Sequence, residues 1–246
     1  MKHLAPSILA FCGLLPCACA QSPDEIAEMR KEIEALKQTQ RMILGELQAM
    51  RELIARGQNN QPAVLNLKES PVLGSKDAKI TIVEYSDYQC GFCARHFRST
   101  LPKLADEYIK AGKVKYVLRN FPLESIHPKA LKAAAAALCA GEQGKYWEMH
   151  RQLFSNPAML DLEHMPKHAE AVQMDAARFT RCLEGEKYVA QVRREIEEGR
   201  NLGVEGTPTF FIGLSGNDPA KFTATRTLVG AQPYEAFKAA VDSMLN

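Results

Sequence analysis

Lys79-Ile80-Thr81-Ile82-Val83-Glu84-Tyr85-Ser86-Asp87-Tyr88-Gln89-Cys90-Gly91-Phe92-Cys93 joins two patterns end to end. Lys79 to Tyr85 alternates, with β-branched Ile80, Ile82 and Val83, and predicts a strand. From Cys90 to about Lys110, Phe92, Phe97, Leu101, Leu104 and Tyr108 recur at helical spacing, and Val114 to Leu118 predicts a second strand. The unit is β-α-β, with a Cys-x-x-Cys pair where strand passes into helix. That setting makes the pair a redox candidate.

The spacing carries the chemistry. Cys90 falls at the first turn of its helix, where unpaired backbone N–H groups and the helix dipole favour a thiolate. Cys93 lies one turn on, near enough for S–S closure and shielded by the turn that exposes Cys90. One thiol can attack a partner disulfide and the other resolve the mixed disulfide, or the steps can run backwards. A c-type haem would need His after the second Cys, and position 94 is Ala. A zinc site wants four ligands, and Cys90, Cys93 and His96 offer three. No metal and no cofactor are expected; an inert structural disulfide is the remaining alternative.

Outward from this unit, Pro128 to Leu202 reads as helical, with an Ala run at Ala133–Ala137 and breaks near Asn156-Pro157 and Gly185. Thr209 to Ile212 resumes as a strand, Ser215-Gly216-Asn217 turns, Thr225 to Val229 is another strand, and Pro233 to Leu245 closes as a helix. Two sheet-forming halves thus enclose a helical insertion at about 124–203. The 246 residues suffice for one domain with an appendage and a real core. Lys and Arg number 31 against 29 Asp and Glu, without a basic block, which argues against nucleic acid and anionic lipid as partners.

Residues 1–20 read as a signal peptide: Lys2 and His3, an apolar stretch from Leu4 to Leu15, and a small-x-small site at Ala18-Cys19-Ala20. Lipid attachment at Cys17 or Cys19 is the alternative, disfavoured by Pro16. Removing this segment takes away Lys2 and lowers the net charge from +2 to +1. Export then leaves Cys90, Cys93, Cys139 and Cys182, an even set that suggests two pairs in an oxidising compartment.

Residues 21–57 form a second module. With Ile26 as heptad position a, the a positions are Ile26, Ile33, Gln40, Leu47 and Ile54 and the d positions Met29, Leu36, Ile43 and Met50, so eight of nine are apolar. Glu25, Glu32 and Glu46 at g face Arg30, Lys37 and Arg51 at e′ only in a parallel arrangement. Leu44 and Leu53 widen the strip, leaving dimer and trimer both open. A single amphipathic helix folded on its own domain is the competing reading. Residues 58–65, beginning Gln58-Asn59-Asn60-Gln61-Pro62, read as a linker to a domain at 66–246.

Cys90-Gly91-Phe92-Cys93 reached through Val83-Glu84-Tyr85-Ser86-Asp87-Tyr88-Gln89, with Gly206-Thr207-Pro208-Thr209 before a late strand, resembles the DsbA-like branch of the thioredoxin superfamily over residues 66–246. The resemblance implies an α/β thioredoxin fold with a helical insertion, here preceded by a coiled-coil helix. It also implies a cis bond at Pro208 beside the dithiol, with Thr207 and Pro208 receiving substrate backbone, where an ordinary trans turn proline is the alternative. Glu84 would be a buried acid near the resolving sulfur, serving its proton transfer, unless it is a solvated strand residue. Cys139 and Cys182, on separate helical stretches of the insertion, are expected to form a structural disulfide; two buried free thiols are the alternative. His127 reads as a helix-start residue, Trp147 as core, and Phe210-Phe211 as strand packing.

Gly91-Phe92 between the cysteines and Thr207 before the proline resemble the DsbC-like isomerases and reductases more than the oxidases. Phe cannot stabilise a thiolate as a His cation can, which implies a less depressed Cys90 pKa and a less oxidising couple. The arm makes the chain look like oligomeric ScsC-type proteins. The function implied is that of a periplasmic disulfide isomerase or reductase acting on exported proteins, served by a membrane redox partner, either DsbD-like reductant or DsbB-like oxidant. A DsbA-type oxidase and a chaperone without redox turnover are the rivals.

Overall fold

Ile80–Ser86 is buried along its whole length, as a strand covered on both faces must be. The computed structural model describes residues 23–58, 63–218 and 220–245, with side chains described on the first helix from 24 to 47. The signal peptide expected at 1–20 lies outside the described residues. The chain divides into two units, at residue 58.

The first unit is the helix α1 (Pro23–Gln58), and every described side chain from Asp24 to Leu47 is exposed. Asp24 and Glu25 lie in its first turn, where the helix dipole favours acids.

The second unit holds a sheet of β2 (Val72–Leu73), β3 (Ile80–Ser86), β4 (Val114–Asn120), β5 (Thr209–Leu214) and β7 (Arg226–Val229), in the spatial order β2-β4-β3-β5-β7. β3 and β4 are parallel, so a crossover must join them. It is made by α2 (Gly91–Ser99), α3 (Leu101–Leu104) and a π-helical turn at Ala105–Ile109. The break at Thr100 precedes Pro102, which has no N–H to continue the α2 ladder. β5 pairs antiparallel with both β3 and β7. β1 (Val64–Asn66) and β6 (Lys221–Thr223) form a separate antiparallel pair. The expected linker is therefore shortened: α1 runs to Gln58, residues 59–62 lie outside the described residues, and Val64 and Leu65 already belong to a strand.

Between β4 and β5 come α4 (Ala130–Gly141), α5 (Tyr146–Ser155), two 3₁₀ turns, α6 (Met165–Ala171), α7 (Ala176–Glu184) and α8 (Lys187–Asn201). The buried run Ala133–Ala137 lets α5, α7 and α8 approach α4 closely. The Cys139–Cys182 disulfide ties α4 to α7 across 43 residues of sequence. Val83, Tyr85 and Val117 pack toward this helical layer. Ile80, Ile82, Tyr116, Phe210 and Ile212 pack on the other side with the closing helix α9 (Tyr234–Leu245).

Candidate functional site

Cys90 is the N-cap of α2, with extended φ/ψ of −72° and 120°. An N-cap ordinarily carries a side-chain acceptor for the first N–H groups; the Cys90 thiol makes no such bond, and its sulfur becomes an acceptor for them as the thiolate. In the thiolate form the Cys93 thiol donates to it, and with the Thr207 hydroxyl and the backbone N–H groups of Cys93 and Phe92 this lowers the Cys90 pKa to about 5 although the residue is buried. In the thiol form Cys90 Sγ donates to the Thr207 carbonyl at 3.3 Å. The Thr207 hydroxyl is buried without a hydrogen-bond partner there, so it is available to the thiolate. Cys93 is fully buried, and burial, Cys90 and Glu84 together push its pKa well above the ordinary thiol value. Two thiols one turn apart thus differ widely in acidity. The Cys90 value is more depressed than a dithiol without an intervening His led one to expect, lying between about 3.5 for DsbA and about 7 for thioredoxin.

The Thr207–Pro208 bond is cis. Phe92 is 58% exposed, with the Arg95 guanidinium 5.1 Å over its ring, so the dithiol turn presents an aromatic face to solvent. A Cβ at Gly91 would meet nothing within 4 Å, so close packing does not require glycine there.

Glu84 is 2% exposed, which disposes of the solvated-strand reading. Ser86 Oγ donates to one carboxylate oxygen at 2.8 Å and Tyr116 Oη to the other at 2.5 Å. Burial outweighs these donors and raises the Glu84 pKa to about 7. A carboxyl half-ionised near neutral pH, coupled electrostatically to Cys93, is suited to moving a proton there.

The approach to the dithiol is clasped by Asp87. It accepts from the Gln89 N–H at 2.7 Å, the Leu123 N–H at 2.8 Å and His127 Nδ1 at 2.8 Å. His127 thus ties the dithiol loop to the start of α4, whose first residue, Ala130, donates its N–H to the His127 carbonyl at 3.1 Å. Trp147 is partly buried and donates to the Val72 carbonyl at 3.0 Å. His96, weighed above as a third metal ligand, is buried with its Nε2 3.0 Å from Tyr116 Oη. Among the described residues no group of three or more His, Cys, Asp or Glu could hold a metal ion. The structure therefore brings together Cys90, Cys93, Glu84, Thr207 and Pro208 and places the Cys139–Cys182 bridge in the helical layer. Tyr116, His96 and Asp87 join the site without having been singled out for it. For His96 a signal existed, because it stands three residues beyond Cys93 on the same helical face.

A dithiol at a strand-to-helix junction, a cis proline beside it, and a helical insertion after the second strand of the β-α-β unit define a thioredoxin fold of the DsbA-like kind. A family model described as "Thioredoxin" matches residues 66–242, and the chain belongs to that family. Alpha-DsbA1 of Wolbachia pipientis superposes with a TM-score of 0.64 at 26% identity, covering 73% of this chain and 92% of that one. The catalytic domain of Proteus mirabilis ScsC gives 0.58 at 23%, covering 71% and 88%, a likeness of fold. ScsC is thus one neighbour beside DsbA-type proteins, and the special kinship expected with it is corrected to the broader class. Among curated relatives, the Na(+)/H(+) antiporter NhaA 3 of Salinispora tropica is 33% identical over 141 residues, 57% of this chain. The chain spans about a fifth of that relative's length, 21%.

Proposed function

We propose that the chain is an exported disulfide isomerase or reductase that works through Cys90 and Cys93 and assembles through residues 24–57. The observation that carries the exchange chemistry is the contrast in acidity between the two thiols. Cys90 is ionised at neutral pH and attacks, while Cys93 stays protonated until it resolves the mixed disulfide. Three features favour rearrangement of disulfides. Gly91-Phe92 places no cation beside the thiolate, Thr207 precedes the cis proline, and α1 exposes Ile26, Met29, Ile33, Leu36, Ile43 and Leu47 at heptad positions a and d. Partner copies would cover that seam, so that each assembly offers several thiolates to a misbridged client. Thr207 and Pro208 would receive the client backbone, and a membrane partner, reductant or oxidant, would reset the dithiol.

The test is reactivation of a scrambled disulfide protein. The intact chain is expected to be active, Cys90→Ser inactive, and a chain lacking residues 21–60 monomeric with far weaker activity. Undiminished isomerisation by the monomer would refute the role of the arm.

A DsbA-type oxidase is the second reading, favoured by the Cys90 pKa of about 5, because a stabilised thiolate makes the disulfide form a stronger oxidant. The reduction potential separates the two. A value near −120 mV, roughly that of DsbA, supports the oxidase, and one near −180 mV, roughly that of protein disulfide isomerase, supports rearrangement.

A further inference from the structure

Glu84 begins a buried hydrogen-bonded row that leads away from the dithiol. Tyr116 Oη donates to Glu84 Oε2 at 2.5 Å and lies 3.0 Å from His96 Nε2. Strand register and helix period explain the meeting. β3 pairs Ile82 with Tyr116, which makes Tyr116 the diagonal neighbour of Glu84 on one face of the sheet. His96, one turn beyond Cys93, is carried by α2 onto the same face. Glu84, His96 and Tyr116 are all at most 2% exposed.

The direction of the row follows from counting protons. A phenol has one, and the short contact to a carboxylate claims it. The imidazole must then donate through Nε2–H to Tyr116 Oη, leaving Nδ1 as the ring nitrogen without hydrogen. Nδ1 is buried and has no partner. A hydrogen placed there would be an unpaired buried donor, and it would also turn Nε2 into a competitor for the Tyr116 proton. The ring is neutral, since burial lowers its pKa to about 3, and it lies between Phe210 and Phe237 at centroid distances of 4.5 and 5.2 Å. The titratable groups facing Glu84 are Tyr116 on β4 and Cys90 and Cys93 at the start of α2, with Tyr88 and Tyr146 farther off. Among the described residues no Lys or Arg pairs with it.

We propose that His96 and Tyr116 are positioning residues for disulfide exchange: His96 Nε2–H fixes the Tyr116 hydroxyl as a donor to Glu84, and Glu84 so held takes the proton that Cys93 loses. This deepens the exchange chemistry proposed above and rests on it. In the resolving step the Cys93 proton passes to the Glu84 carboxylate and the Cys93 sulfur bonds to Cys90 Sγ. The bond between Cys90 and the partner sulfur breaks, and its electron pair leaves on the partner sulfur, which takes a proton from water. The dithiol is oxidised and the partner disulfide reduced, and Glu84 returns its proton to solvent afterwards.

The test is a titration of the Glu84 side-chain carboxyl by ¹³C NMR in the reduced full chain, with Glu84→Gln assigning the signal. The wild-type midpoint is expected near 7. Tyr116→Phe should raise it by about one pH unit, the worth of a hydrogen bond to the charged form. Release of a Cys90 mixed disulfide at pH 7 should then slow about fivefold, with its pH profile displaced by the same unit. His96→Leu should shift the midpoint the same way, and His96→Gln, whose amide N–H can still donate, should restore it. An unchanged midpoint in Tyr116→Phe, or equal shifts in His96→Gln and His96→Leu, would overturn the proposal. Should a variant fail to fold, ¹⁵N spectra of the wild-type chain decide: a His96 ring protonated at Nε2 supports the proposal and one protonated at Nδ1 overturns it. Because these measurements read Glu84 and His96 directly, lack of exchange activity in the wild-type chain would count against the oxidoreductase reading alone.

Discussion

Glu84→Gln is expected to leave the fold nearly unchanged in acid and to strengthen it in mild base. The folded-state pKa of about 7 lies above the ordinary value of 4.5, so the folded protein holds this proton more tightly than the unfolded chain does. The stability that this tighter hold supplies is fully present below about pH 4.5 and is lost as pH rises through about 7. The difference between the two pKa values amounts to about 3 kcal/mol of cost above pH 7. Glutamine carries no charge and has no such dependence. At pH 4 the wild-type carboxyl is protonated and, like the amide, offers Ser86 and Tyr116 one carbonyl acceptor, so the two chains differ little there. The variant should therefore match wild type to within about 1 kcal/mol at pH 4 and be about 3 kcal/mol more stable at pH 8. Urea unfolding of the oxidised chain, at one protein concentration and at pH 4, 6 and 8, measures the difference with the dithiol unable to titrate. A difference independent of pH, or one that grows more favourable toward acid, would refute the buried-carboxylate reasoning.

Three further outcomes follow from the geometry. Thiolate absorbance at 240 nm in the reduced chain should titrate with a midpoint near 5, and Thr207→Val should raise it by about half a unit to one unit, since the hydroxyl is one of its donors; a midpoint in the ordinary range of about 8.5 would remove the helix-start account. Replacing Cys139 and Cys182 together by Ala should lower stability by about 4 kcal/mol, as loop closure over a separation of 43 residues implies, measurable by the same urea unfolding. Gly199→Ala should cost about 1–3 kcal/mol, read as a drop in the unfolding midpoint, because its Cβ would come within 2.7 Å of Phe121 and 2.9 Å of Tyr85 where α8 lies on the sheet.

What could be read from the sequence was what local pattern encodes. The alternation before Cys90 and the helical spacing after it mark the β-α-β unit, because side-chain period follows backbone geometry directly. Pro208 and Glu84 were legible only through their motif context: no local rule requires a proline to be cis or buries an acid in a strand. The pairing of Val64–Asn66 with Lys221–Thr223 was not legible, since strands of three residues carry too little pattern and their partners lie far apart in sequence. The same holds for the buried ion pair of Arg119 with Glu195, which fastens α8 to the end of β4, and for Tyr116, whose contact with Glu84 depends on strand register. Residues like these acquire their roles only when tertiary structure brings them together.

The most direct test of the division of labour between the two thiols is to stall the reaction halfway. A Cys93→Ala chain mixed with a disulfide-bonded client should accumulate a mixed disulfide through Cys90, visible on a non-reducing gel and assigned by mass, and Cys90→Ala should form none. An adduct formed as readily through Cys93 in the Cys90→Ala chain, or none in either variant, would contradict the assignment of Cys90 as the attacking thiol and Cys93 as the resolving one.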